Sequence, residues 1–214
     1  PSSNETRTMP VYEALALDIK ARGCEVAFGL ISDDTAMLVT ALDAAGVRFC
    51  SARHETNAIA MAEGYAAATG RLGIAILGRG PAMANALHGA IYANRSGSKV
   101  LLIFGASPLE PAGPDPKRLD AIAVLHGSGI KTVVASNPGN ARQSLDDAIR
   151  ATEAGNCASL LLPVDVQFAS IPWTGDRELA RAPASPRRVV ARRSAVDAAA
   201  ALLAKSRKPL FVAG

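Results

Sequence analysis

The sequence predicts a doubly wound α/β domain, a six-stranded parallel sheet with helices on both faces, followed by the start of a second α/β domain. Three observations carry this reading. Short apolar runs alternate with stretches of helical period from residue 9 to residue 162. The runs are apolar at consecutive positions rather than every second one, the pattern of strands covered on both faces. Glycines, or an Asn-Pro pair, stand where one period gives way to the next.

Each element follows in order. Val11, Leu15 and Ile19 recur at a spacing of four and predict a helix over 9–22, stopped by Gly23. Residues 25–29 read as the first strand, closing in a glycine turn. Asp33 or Asp34 is placed to cap the second helix, which runs to Ala45 ahead of Gly46. Residues 47–51 form the second strand, Glu55–Thr69 the third helix and Gly73–Leu77 the third strand. A helix over 82–93 leads to an apolar strand at 99–104, and the Pro/Gly-rich stretch 105–116 is too irregular for either class. A shorter helix at 118–125 precedes a strand at 131–135. Asn137-Pro138 opens a helix, with Asn as cap and Pro at the first helical position, and this helix ends near Glu153. Residues 158–162 supply the sixth strand.

The first domain is therefore expected over residues 1–165. Pro, Arg and scattered polar residues mark 166–193 as a linker. Residues 194–214 begin a second domain, with an Ala/Leu helix over 194–205 and a strand over 209–214. A lone helix and strand cannot bury their own apolar faces, so the natural protein is expected to continue.

Composition narrows the class. With 49% hydrophobic residues but only 4% aromatic ones, the core must be built from Ala, Val, Leu and Ile. The net charge of +4 and pI near 9.2 arise mostly from Arg177, Arg181, Arg187, Arg188, Arg192 and Arg193, all in the Pro-rich stretch. That distribution reads as a solvated linker and not as a nucleic-acid surface. No apolar run reaches the roughly 18 residues of a membrane span, and the polar stretch 1–8 lacks a signal-peptide core. A soluble cytoplasmic protein with no membrane partner is expected. Cys24, Cys50 and Cys157 are far apart and sit in or beside apolar segments, as buried free thiols would. His54, His88 and His126 lack metal-ligand spacing; His88 and His126 read as helix-face or loop residues.

Ligands of open α/β sheets bind at the carboxyl ends of strands. Three such ends carry unusual residues: 28–33, 53–57 and 78–81. Gly78-x-Gly80 invites a dinucleotide reading. Met83 stands where that fingerprint needs a third small residue, however, and Pro81 removes an N–H that a phosphate would use. A nicotinamide site is not expected. Glu55 opens a helix, where the dipole stabilises a carboxylate; taken alone, that is a structural role.

Its neighbours change the reading. His54-Glu55-Thr56-Asn57-Ala58-Ile59-Ala60-Met61-Ala62-Glu63-Gly64-Tyr65-Ala66-Ala67-Ala68-Thr69-Gly70 resembles the His-Glu-x-x-Ala-x-x-Met-Ala-x-Gly-Tyr-Ala-x-x-Thr-Gly signature of thiamine-diphosphate enzymes. Gly80-Pro81-Ala82-Met83-Ala84-Asn85-Ala86-Leu87 is similar to the Gly-Pro-Gly-Ala-Thr-Asn-Ala-Leu segment of the same family, and Phe28-Gly29 to its first strand end. The resemblance, to the acetolactate synthase and 2-oxoacid decarboxylase type, runs over about residues 9–214. It departs in three places. Ile31-Ser32 replaces Pro-Gly, Ala82 replaces the second glycine, and Lys117, Arg118, Leu119 and Asp120 stand where a glutamine is frequent.

The resemblance implies a pyrimidine-binding domain. Glu55 would hydrogen-bond a ring nitrogen of the cofactor's aminopyrimidine and favour its imino tautomer, the base that activates the thiazolium carbon. That role needs a carboxyl at a sheltered strand end. Pro81 and Asn85 would pack on the pyrimidine, and Leu30, Ile31 and Ser32 would form a substrate-side loop. Relatives hold the diphosphate through Mg2+ at a Gly-Asp-Gly…Asn-Asn element, and no Gly-Asp-Gly occurs here. Thiamine diphosphate and Mg2+ are therefore expected in the full-length protein and not in these 214 residues alone. A 2-oxoacid substrate and a homodimer or homotetramer are also implied. The rival readings are a non-catalytic domain of the same fold and one subunit of a split decarboxylase.

Overall fold

The computed structural model describes residues 7–110, 113–153, 156–173 and 190–212. The chain divides into two compact units, residues 1–180 and 181–214.

The first unit is the expected α/β domain. Its strands β2 (Val26–Gly29), β3 (Arg48–Ser51), β4 (Gly73–Leu77), β5 (Val100–Ala106), β6 (Lys131–Val134) and β7 (Ala158–Pro163) pair in the order β3-β2-β4-β5-β7-β6. Every pairing is parallel. The order reverses beside β2, which has β3 on one side and β4 on the other, so a crevice opens at the carboxyl ends of β2 and β4. Alternation survives although both faces are buried. Ile74, Ile76, Leu101 and Ile103 point to one face, against Leu15 and Ile19 of α1 (Val11–Ala21), Leu38 and Leu42 of α2 (Ala36–Ala44), and Leu145 of α6 (Ala141–Glu153). Ala75, Leu77, Leu102 and Phe104 point to the other, against Ile59 of α3 (Glu55–Thr69), Met83 and Ala90 of α4 (Pro81–Arg95), and Leu125 of α5 (Ala121–Gly127). Each of these buried Leu, Ile, Met and Phe side chains contributes about 1.5–3 kcal/mol of transfer free energy.

Helices α1 and α6 are also joined by charge. Arg142 grips Asp18 with two hydrogen bonds, Nε to Oδ2 at 2.7 Å and Nη2 to Oδ1 at 2.6 Å. Both side chains are almost fully buried, and the Arg142 guanidinium lies 4.3 Å from the centre of the Trp173 ring. Arg22 pairs with Asp146 nearby. Fork geometry of this kind satisfies both ions at once, which a buried pair requires.

Several expectations are corrected. Part of the stretch assigned to the linker is ordered within the first unit: α7 (Val164–Phe168) follows β7, and β8 (Ser170–Pro172) pairs antiparallel with β1 (Thr8–Pro10). These three-residue strands are too short to show a period, and each ends in proline. Their anchors are Met9 and Ile171, both buried. The same ribbon delays α1 to Val11. Neither Asp33 nor Asp34 caps α2, whose N-cap Thr35 makes no side-chain cap bond. Asn137 does cap, reciprocally with Asn140, but the turn it opens is a 3-10 turn, Pro138–Asn140, ahead of α6. Cys24 and Cys157 are buried thiols, whose pKa values burial pushes up to about 11 and about 12; Cys50 is only half-buried. His88 on α4 and His126 on α5 are exposed.

In the second unit, α8 (Arg193–Lys205) matches the expected helix. The strand expected over 209–214 is absent as far as Val212, beyond which residues lie outside the described ones. Arg177, Arg181, Arg187 and Arg188 lie outside them as well. No described helix is long and apolar enough to cross a membrane.

Candidate active site

Glu55 is the first residue of α3, directly after the turn that follows β3. His54 caps the helix, its Nδ1 accepting from the Thr56 N–H at 3.2 Å. The cap fixes the first turn and leaves Glu55 half-buried, beside the crevice. Facing it is Asn85, one turn into α4, whose Nδ2 donates to Glu55 Oε2 at 3.3 Å.

Two contacts explain why the helices meet there. The Thr56 hydroxyl donates to the Asn85 carbonyl at 2.7 Å. Gly89 lies against α3 so closely that a Cβ would stand 3.2 Å from the Thr56 carbonyl oxygen and 3.3 Å from Ile59 Cβ. The glycine lets α3 and α4 approach, and the approach brings the amide to the carboxylate.

Pro81 occupies the first position of α4 and is exposed. It follows Gly80, at φ +59°, where a Cβ would lie 2.1 Å from the Lys117 carbonyl oxygen. Only glycine fits that approach. The Gly78-x-Gly80 turn is thus filled by the chain itself, by the Lys117 backbone at Gly80 and by the Ser32 side chain at Gly78.

On the loop expected to face the substrate, Leu30 packs half-buried against the α3–α4 side of the core, and Ile31 is 62% exposed. Ser32 turns inward, its hydroxyl donating to Asp33 at 3.0 Å and also to Asp34. The structure thus joins Glu55 to Asn85 directly, with Pro81 on the same helix as Asn85. Of the three loop residues, it leaves Ile31 as the side chain most open to solvent.

A second polar group at the strand ends was not read from the sequence. Asp34, 3% exposed, accepts the Arg79 backbone N–H at 2.9 Å. Arg79 Nη1 donates to Asp115 at 2.8 Å, and Lys117 Nζ reaches Asp33 at 2.5 Å. The Lys117 ammonium holds the Asp33 carboxyl down at about 2, against the opposing effect of burial, and Ser32 adds to the lowering. The Asp115 carboxyl is also lowered, chiefly by the Ser107 hydroxyl, with help from the Lys117 N–H and the Arg79 charge. Asp115 lies in the Pro/Gly-rich stretch 105–116, which carries no period, and Lys117 directly follows it, so spacing alone cannot join them to Asp33 and Arg79. Gly78-x-Gly80 was the one signal that something packs closely at this turn.

Comparison with known proteins follows the same residues. The family model described as the N-terminal TPP binding domain of thiamine pyrophosphate enzymes matches residues 9–124, more than half of the chain. A catabolic acetolactate synthase of Raoultella terrigena is 25% identical over 205 residues, 94% of this chain and 36% of its own length. A sulfoacetaldehyde acetyltransferase of Rhodobacter capsulatus is 27% identical over 208 residues, 96% of this chain and 34% of its own. A probable 2-ketoarginine decarboxylase of Pseudomonas aeruginosa is 26% identical over 227 aligned residues, all of this chain and 40% of its own. The chain thus spans about a third of the length of these relatives.

Proposed function

The chain belongs to the thiamine pyrophosphate enzymes, as their N-terminal TPP-binding domain, and from that premise we propose that it binds the aminopyrimidine of thiamine diphosphate for decarboxylation or carboligation of a 2-oxoacid. The observation that carries the proposal is the Glu55–Asn85 pair at the crevice beside the switch in strand order.

The residues fit this part of the cofactor. Glu55 Oε2 is engaged by Asn85, and its other carboxyl oxygen has no partner among the described residues. A ring nitrogen can take that place. When bound, the cofactor supplies the carbanion chemistry at the oxo carbon, and the protein supplies orientation and electrostatics. Glu55 holds the proton shared with the ring nitrogen. Asn85 donates to the opposite oxygen and so sets the plane of the carboxyl group. Pro81 offers an apolar face at the end of α4, without an N–H to compete for the ring. Among the described residues, no group of three His, Cys, Asp or Glu side chains could hold a metal ion. The diphosphate and Mg2+ are assigned to another domain of the full-length protein, and these 214 residues alone are expected to have no turnover. A site shared between two subunits, and hence a homodimer or homotetramer in the cytoplasm, completes the proposal.

The test is CO2 release from pyruvate and other 2-oxoacids by the purified full-length protein, with and without thiamine diphosphate and Mg2+. Release that depends on both additions is expected. A full-length protein that neither binds the cofactor nor consumes any 2-oxoacid would refute the reading.

A further inference from the structure

Pro81 cannot anchor itself. It has no N–H, and the residue before it is a glycine, which has no side chain to hold it in place. Whatever fixes its ring on the crevice side must act through neighbours. One neighbour is α4, which continues from it. The other is Arg79, held at both ends: its backbone N–H donates to Asp34 at 2.9 Å and its Nη1 to Asp115 Oδ2 at 2.8 Å.

Asp115 is the hub of this arrangement. Its Oδ2 also accepts the Ser107 hydroxyl at 2.6 Å, and its Oδ1 accepts the Lys117 N–H at 3.0 Å. One carboxylate therefore ties the end of β5, the loop at 115–117 and the turn after β4 together. The Lys117 carbonyl is set against Gly80 by the same loop. Arg79 and Asp115 are only 17% and 12% exposed, so their attraction is screened less than that of a surface pair. Asp34 closes the other side, and its carboxylate lies where a Cβ on Gly105 would come within 1.7 Å.

We propose that Asp115 is a positioning residue for the cofactor: through Arg79 and the Lys117 loop it fixes the Gly80–Pro81 turn, and with it the face that Pro81 and Asn85 present to the pyrimidine. This rests on the thiamine reading of the site. Asp115 bonds to Arg79, Ser107 and Lys117 and acts on cofactor geometry through them, without touching the reacting atoms.

The experiment uses the full-length protein and two variants, Asp115→Asn and Ser107→Ala. Asn keeps the volume but has one acceptor oxygen in place of two, so it can accept at the Oδ1 or the Oδ2 position and not at both, and it loses the charge facing Arg79. Two quantities are measured: hydrogen exchange at the Arg79 and Gly80 amides without cofactor, and the Kd of thiamine diphosphate in the presence of Mg2+. Asp115→Asn is expected to speed exchange at both amides and to raise the Kd about tenfold. Ser107→Ala is expected to move both in the same direction, with a Kd rise of about threefold. KM for the 2-oxoacid at saturating cofactor should stay at the wild-type value. A fall in melting temperature with unchanged Kd marks a merely structural residue and overturns the proposal. Should Asp115→Asn fail to fold, Ser107→Ala decides by the same criterion. Wild-type protein that does not bind thiamine diphosphate overturns the functional reading and this proposal with it, whereas equal binding by wild type and variants overturns this proposal alone.

Discussion

A glutamate at the first position of a helix is ordinary, because the helix dipole favours a carboxylate there. What separates Glu55 from the ordinary case is the Asn85 amide on one of its oxygens, while the other has no hydrogen bond among the described residues. Glu55→Gln in the full-length enzyme distinguishes the two roles. Gln keeps the size and can still hydrogen-bond, so the helix start should survive with a loss of about 0.3–1 kcal/mol. It cannot share an acidic proton with the ring, and activity is expected to fall about 100- to 10,000-fold. Proton–deuterium exchange at the thiazolium carbon of bound cofactor, run beside a melting curve, checks this. Wild-type exchange with only a lowered melting temperature would make Glu55 a helix-opening residue. The candidates Glu55, Pro81 and Asn85 could be named from the sequence because each lies inside a contiguous motif, and the structure joins two of them, Glu55 and Asn85. Asp34, Arg79 and Asp115 could not be, since 45 residues separate Asp34 from Arg79 and 36 separate Arg79 from Asp115. Loop carboxylates of this kind look like any solvated turn until the fold brings them together.

At the scale of elements, the site depends on how near α3 and α4 can come. Gly89→Ala would place a methyl group 3.2–3.3 Å from the Thr56 carbonyl oxygen, Thr56 Cα and Ile59 Cβ, two of them backbone atoms that yield little. The helices must then part by a few tenths of an ångström. A cost of about 1–3 kcal/mol is expected from overpacking, partly offset by the higher helix propensity of Ala. The Asn85–Glu55 contact, already 3.3 Å, should weaken, and the Kd for thiamine diphosphate should rise. Urea unfolding and cofactor titration of the variant check both parts. An unchanged Kd would show that helix separation does not set the site. The strands and helices of the sheet domain were legible because apolar runs and helical periods are strong local signals. The β1–β8 ribbon was not: its register pairs Met9 with Ile171, so it exists only once the domain has folded and brought its two ends together. The cap of α2 was misread for a related reason. Asp34 is drawn inward by the Arg79 N–H and the Ser32 hydroxyl, and a buried carboxylate with those donors does not turn back to cap its own helix.

The whole molecule places its chemistry by topology. The sheet order turns at β2, and the loops that follow β2, β3 and β4 carry Leu30 to Ser32, Glu55 and the Gly80–Pro81 turn respectively. The loop after β5 brings Asp115 to Arg79 and Lys117 to Asp33, at the same strand ends. The Asp18–Arg142 pair joins α1 to α6 on the opposite face of the sheet from α3 and α4, so the scaffold is held from a side that the site does not use. The parallel sheet was legible in the sequence, but the strand order was not, because periodicity says nothing of which strands are neighbours. The measurement that tests the account most directly is a crystal structure of the full-length protein with thiamine diphosphate and Mg2+. The account expects a Glu55 carboxyl oxygen about 2.5–3.0 Å from a ring nitrogen of the aminopyrimidine, with Asn85 still on the other oxygen and the Pro81 ring against the pyrimidine. A pyrimidine bound elsewhere, with Glu55 facing only solvent, would contradict it.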